Sequence, residues 1–285
     1  REISAMVGTD MLKILLLIAA LVTTHHIEAS PLWHWEETFS NSEKVKLQGW
    51  VLHAERGLTN FVGPLPYTYR VHYHHITRGS GPTPWAHTDK SEGRSVHFYV
   101  NTAYSEQDFK EDWTASHELS HLIFPYVGSS GRWFSEGLAS YVQYQIMYAN
   151  KTISWNQAID NLEERFGVAR KEAGHGRVSI VELSKLSPRT VSPVRLYWGG
   201  AAYFLMVDKA LSEERNLRFA DVIATYLRCC VYQKHNSAED MMALFDRISG
   251  GDIFIRVYQQ TVMRNGFPIT EDSMNWLRKN PPRIR

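Results

Sequence analysis

The chain has 285 residues, 44% of them hydrophobic and 21% charged, which is enough apolar side chain for a real core and too much for wholesale disorder. Lys plus Arg number 31 against 30 Asp plus Glu, a net charge of +1, so no basic field points to nucleic acid or an anionic membrane. Two cysteines exclude a disulfide scaffold.

Ile14 to Val22 is an unbroken apolar run, preceded by Lys13 and followed by Thr23-Thr24. It is too short to span ~30 Å of hydrocarbon, which needs ~20 residues. Its length and flanks match a secretory signal with cleavage near Ala29-Ser30. Met11 then reads as the start and residues 1–10 as upstream sequence. A removed leader over about 11–29 predicts a secreted or periplasmic protein, with no integral membrane segment in the mature chain.

Beyond the leader, Trp33, Trp35 and Phe39 read as core packing. A helix is expected over 42–56, stopped by Gly57. Residues 67–76, rich in aromatic and β-branched side chains, predict a strand. The glycines and prolines of 79–85 predict a loop. Alternation over 94–100 predicts a half-buried strand, with Val96, Phe98 and Val100 on one face and Ser95, His97 and Tyr99 on the other. From 108 onward the pattern is helical, with segments at 112–124, 135–148, 155–166, 180–186, 196–211, 217–232, 238–248 and 253–262. Asn280-Pro281-Pro282 predicts an extended tail. Strands first and helices after argue for an α+β fold in one unit over 30–285, β-rich at 60–105 and helical at 108–265. Cys229 and Cys230 are adjacent. Neighbouring Cα atoms ~3.8 Å apart fall below the ~4.4–6.8 Å of a relaxed disulfide, so the pair reads as two small apolar residues on a helix.

The chemistry is carried by His117-Glu118-Leu119-Ser120-His121, an H-E-x-x-H motif inside a predicted helix. With 13 histidines in 285 residues such a motif arises by chance only about 0.04 times. Residues i and i+4 share a helix face, so both imidazoles reach one ion, while Glu118 projects to the flank of that pair. A catalytic zinc needs a third protein ligand and an open fourth position. Glu136 follows His121 closely, after Ser135. With Ser135 as N-cap, Glu136 falls in the first turn of a helix, where backbone N–H groups favour a carboxylate.

Trp133, Glu136, Gly137, Ala139 and Tyr141 match a W-x-x-E-G-x-A-x-Y pattern. With the H-E-x-x-H segment, this resembles the gluzincins, the thermolysin-like zinc peptidases of the "peptidase MA-like" kind. It is most similar to the branch containing aminopeptidase N and the glycyl aminopeptidases. Thermolysin carries an Asp four residues after its Glu ligand; here that position is Ser140. Tyr197-Trp198-Gly199-Gly200 resembles the branch's Y-x-x-G helix start, and Asp208 fits the glycyl-aminopeptidase pattern. The gap from His121 to Glu136 is shorter than in aminopeptidase N, and the G-x-M-E-N motif that binds a substrate amine is absent.

The resemblance implies a zincin-like catalytic domain with one Zn2+ held by His117, His121 and Glu136. It implies Glu118 as general base, Tyr197 as a hydrogen-bond donor to the tetrahedral intermediate, and a peptide or protein as substrate. The 94–100 strand is expected to pair with an extended substrate by its main chain. His72, His74 and His75 are expected to be solvent-facing or hydrogen-bonded, since no third ligand stands at a recognisable spacing. His97 is placed where it can line the cleft, and His175 on a loop at its edge. The leading reading is a zinc peptidase. Its alternatives are an aminopeptidase of the same fold and a non-catalytic, zinc-stabilised binding protein. Oligomeric state and substrate preference carry no sequence signal.

Overall fold

In a computed structural model, residues 31–91, 93–173, 178–186 and 192–285 are described. The leader reading and His175 lie outside them. Four strands form one sheet in the order β1-β2-β4-β3: β1 Pro31–Trp35, β2 Tyr69–His75, β3 Trp85–Asp89 and β4 Ser95–Val100. β1, β2 and β4 run parallel, and β3 is antiparallel to β4. The sheet and the helical remainder bear out the α+β expectation.

One face of the sheet is dry. Val71, Tyr73, Val96, Phe98 and Val100 alternate inward and are fully buried, as a strand period of 2 requires. They close on α1, Asn41–Val62, which buries Leu47, Trp50, Val51, Ala54, Leu58 and Phe61. The helix starts at a reciprocal cap: Ser40 accepts from the Glu43 N–H while Glu43 Oε2 accepts from the Ser40 N–H at 2.8 Å. Trp35 stacks on Tyr73 at 4.6 Å and Trp33 packs at 6.1 Å, so this aromatic cluster is core packing, delivered by a strand.

Gly57 does not stop α1. The helix runs on to Gly63, whose φ of 96° terminates it. Gly57 is instead a crossing point, because a Cβ there would lie 2.5 Å from the carbonyl oxygen of Ile146. The predicted 79–85 loop ends where β3 begins.

The rest is helical: α2 Glu106–Glu111, α3 Thr114–His121, α4 Arg132–Ala149, α5 Trp155–Ala173, α6 Ile180–Lys185, α7 Pro193–Arg215, α8 Phe219–Cys229, α9 Ala238–Ser249, α10 Ile253–Gln260 and α11 Glu271–Lys279. α11 carries no strong apolar run, and the sequence pattern misses it. Among the described residues no helix is long and apolar enough to cross a membrane.

Two close approaches set the helical core. Gly137 on α4 and Gly200 on α7 face each other, and a Cβ on Gly200 would sit 2.1 Å from the Trp133 carbonyl oxygen. Further along the same pair, Asp208 accepts from the Tyr141 hydroxyl at 2.7 Å, the Arg218 guanidinium at 2.8 and 3.0 Å and the Phe219 N–H at 2.7 Å. Asp208 is thus a buried tie between α4, α7 and α8. The cysteine expectation is corrected: Cys229 and Cys230 are joined by a disulfide at the end of α8, with Cα atoms 3.7 Å apart. Leaving regular helix at Cys230, with φ of −136°, gives the adjacent pair a backbone that admits the bond.

Candidate metal centre

α3 supplies His117, Glu118 and His121, all buried. α4 crosses it and supplies Glu136. Nε2 of His117 and Nε2 of His121 each lie 3.3 Å from Glu136 Oε2. The three side chains thus present one ligand atom each to a common point, a group that can hold a metal ion. Two imidazoles and one carboxylate suit a borderline divalent cation such as zinc.

Their other atoms are held. His117 Nδ1 is 2.8 Å from Gln143 Oε1, and His121 Nδ1 is 3.2 Å from Ser135 Oγ. Donation from Nδ1–H to these oxygens leaves both Nε2 lone pairs pointing at Glu136, the tautomer a ligand needs. Ser135 is therefore an orienting partner of His121, and the expected N-cap is corrected. α4 begins three residues earlier, behind Gly131, so Glu136 lies in its second turn. Its charge is matched by histidine, not by free helix N–H groups. Against burial, which raises it, the His121 and His117 imidazoles hold the Glu136 carboxyl well below the usual carboxylate range. His117 responds in the opposite sense: burial lowers it, but Glu136 and Glu118 together raise it.

Glu118 points to the flank. The Thr88 hydroxyl on β3 lies 2.9 Å from Glu118 Oε2 and 3.3 Å from its carbonyl oxygen. This partner was not legible in the sequence, because no element was read over 86–89 and Thr88 lies 30 residues upstream. Lys90, at the end of β3, donates to the Phe124 carbonyl at 2.7 Å. Burial and Arg94 push its ammonium down to about 8 against the pull of Glu136 and Glu118.

Tyr197 reaches the same place from α7. Its ring lies 6.2 Å from that of His117. Burial and then the charges of Glu136 and Glu118 raise its hydroxyl well above the ordinary tyrosine value. The Gly137–Gly200 contact explains the placement, since only two glycines allow α7 to approach α4 so closely beside Glu136. Beside His117 and Tyr197 is a cavity of about 100 Å³, lined by Trp113, Ser140, Gln143, Tyr144, Arg165 and Trp198.

Two sequence expectations are corrected here. β4 is an interior strand, paired on both sides by β2 and β3, so it has no edge to offer a substrate; the strand with a free edge beside Glu118 is β3. His97 does not line the cleft. It alternates to the outward face and bonds His74, Nδ1 to Nε2, at 3.2 Å. His72 bonds Glu36 at 2.6 Å and His74 bonds His97, as expected of hydrogen-bonded histidines, whereas the His75 ring stacks on Phe39 at 4.0 Å.

No protein-family model matches the chain, and no curated protein matches it. Solved structures do. An aminopeptidase N family protein from Idiomarina loihiensis aligns with a TM-score of 0.60 at 16% identity, over 88% of this chain and 47% of that one. An M1 zinc metallopeptidase from Deinococcus radiodurans aligns with a TM-score of 0.51 at 15% identity, over 82% of this chain and 46% of that one. A two-domain M1 zinc metallopeptidase bound to L-tryptophan aligns with a TM-score of 0.51 at 13% identity. The chain therefore has the fold of the M1 zinc metallopeptidases, an aminopeptidase N-like zincin domain. It spans about half the length of these structures.

Proposed function

We propose that the chain is a zinc-dependent peptidase, with His117, His121 and Glu136 as metal ligands and Glu118 as general base. The observation that carries this reading is the convergence of His117 Nε2, His121 Nε2 and Glu136 Oε2 beside a separate carboxylate that is not among them. A purely structural site closes its fourth position with a ligand and has no use for that carboxylate. Zinc bound there supplies a Lewis acid that polarises a carbonyl oxygen and acidifies water.

The protein's own groups do the rest. Thr88 holds the Glu118 carboxylate in one rotation, so that it accepts a proton from the attacking water and returns it to the leaving amine. Tyr197 presents a phenol kept protonated by burial and by two neighbouring carboxylates, a fixed donor for the oxyanion. The free edge of β3 offers main-chain hydrogen bonds to an extended peptide, which gives affinity with little side-chain preference. Peptide or protein is the substrate class. An aminopeptidase is the second reading, favoured by the fold shared with an aminopeptidase N family protein. The leader reading adds a secreted or periplasmic location.

The test is digestion of a mixed peptide library by the wild type and by Glu118→Gln, with zinc measured in both. We expect a loss of about 10²–10⁴-fold in turnover with zinc at the His117 centre retained. Equal turnover in the two proteins would remove Glu118 as base, and a centre that takes no zinc would remove the ligand assignment. Free and N-acetylated peptides separate the two readings, because an aminopeptidase cuts only the free ones.

A further inference from the structure

The outward face of the sheet carries a row of imidazoles that peptide hydrolysis does not use. His34, His72, His97 and His87 stand opposite one another on β1, β2, β4 and β3. Their rings stack at 4.5, 4.3 and 4.7 Å, within 12° of parallel. The strand period puts His74 on the same face as His72. This face is the reverse of the one that packs on the helices, and Thr88, which touches Glu118, points inward from the residue next to His87.

Within the row, three rings are tied together. His74 Nε2 lies 3.2 Å from His97 Nδ1. Two nitrogens each ~2.0–2.1 Å from a tetrahedral ion are about 3.3 Å apart, so this is also the spacing of a ligand pair. His72 faces His97 directly across the ladder. Its Nδ1 is 2.6 Å from Glu36 Oε1, which leaves Nε2 as the donor atom. A carboxylate on the far nitrogen is the usual partner of a metal-bound histidine, fixing its tautomer and raising its basicity. Ser95 Oγ stands 3.4 Å from the other nitrogen of His97. His117 and His121 have the same arrangement with Gln143 and Ser135.

We propose a second metal site on this face: a divalent transition cation of the zinc, copper and nickel class, ligated by His72 Nε2, His74 Nε2 and His97 Nδ1, with Glu36 orienting His72. Imidazole donors select such cations over calcium and magnesium. Among the described residues, only the His117 group has its ligand atoms already within 4.8 Å of one another. The sheet site therefore closes on binding, by a turn of the His72 ring away from its stack on His97. The ion then clamps β2 to β4 and, through Glu36, to the end of β1. It is independent of the catalytic centre and is not needed for peptide turnover.

The experiment is zinc stoichiometry on the full chain by equilibrium dialysis, repeated with nickel. We expect two zinc ions in the wild type. One remains in His117→Asn/His121→Asn, one in His74→Thr/His97→Thr and none in the four-site variant. Glu36→Gln weakens the sheet site by about 10–100-fold and leaves the other unchanged. Zinc also raises the Tm of His117→Asn/His121→Asn. The proposal is overturned if the wild type binds a single ion that is lost with His117 and His121, or if the second ion persists in His74→Thr/His97→Thr. Should that variant not fold, the wild type decides. Zinc must protect His72, His74 and His97 from diethyl pyrocarbonate, read by peptide mass mapping, and unchanged modification of these three overturns the site.

Discussion

Gln143 and Tyr197 show how much of the centre rests on single side chains outside the motif. Gln143 is buried and its oxygen fixes the His117 tautomer. Gln143→Leu keeps the volume and removes the acceptor, so zinc affinity at the His117 centre should fall about 10–100-fold, measured by competition with a chromophoric chelator. Tyr197→Phe removes one donor and little else. If the phenol serves the oxyanion, kcat should fall about 10²-fold or more while KM and zinc content hold. An unchanged kcat would remove Tyr197 as the donor and leave it as a side chain packed against the core. The motif residues were legible because i and i+4 lie on one face of a helix. The contacts of Gln143, Thr88 and Ser135 with the site were not recognised, since a glutamine, a threonine and a serine have many uses and only folding decides who their neighbours are.

The contact between α4 and α7 decides whether Tyr197 and Glu136 meet. Gly200→Ala places a methyl group against the Trp133 carbonyl and Gly137, both backbone and unable to yield. We expect a loss of about 2 kcal/mol or more, seen as a lower Tm, together with weaker zinc binding. The W-x-x-E-G and G-G signatures of the sequence thus have a steric cause. The start of α1 gives a pH test. Hydrogen bonds from Thr102 and then Ser40 hold the Glu43 carboxyl down at about 2. A carboxyl lowered in the folded state binds fewer protons than in the unfolded chain between pH 2 and its ordinary 4.5. Its stabilisation is therefore full above about 4.5 and is lost as pH falls toward 2. Glu43→Gln should lower the Tm at pH 7 by about 2–4 °C, and the difference from wild type should vanish near pH 2. A difference that is flat across pH would remove the carboxylate's role.

Zinc bound at the proposed centre would join α3 to α4 through His117, His121 and Glu136, so its removal should cost stability as well as the proposed turnover. With free zinc at about 100 times its Kd, binding stabilises the fold by about 2.7 kcal/mol, or roughly 5–10 °C in a chain of this size. A chelator should lower the Tm by at least that amount, since it strips the proposed sheet site as well, and added zinc should restore it. The His117→Asn/His121→Asn protein should show only the response of the proposed sheet site.

Local chemistry and periodicity were enough to reveal the zincin-like class, the two histidines, their glutamate and most of the helices. Each of these is written in spacings of one to four residues or in a short signature, and such spacings survive translation into structure unchanged. Gly57 shows the limit. As a residue it reads as a helix stop, yet it is where α1 passes the Ile146 carbonyl, and only the partner helix says so. Ser135 read as a cap because the start of α4 depends on its packing beneath Gly131. β3 was hidden because an edge strand of five residues needs little apolar content. Its placement, which gives Glu118 its Thr88 partner and leaves a free edge beside it, comes from pairing with β4. The histidine row was invisible for the same reason. His34, His72, His87 and His97 are scattered across 64 residues of chain, and it is strand register, set by the buried face of the sheet, that brings them into one line.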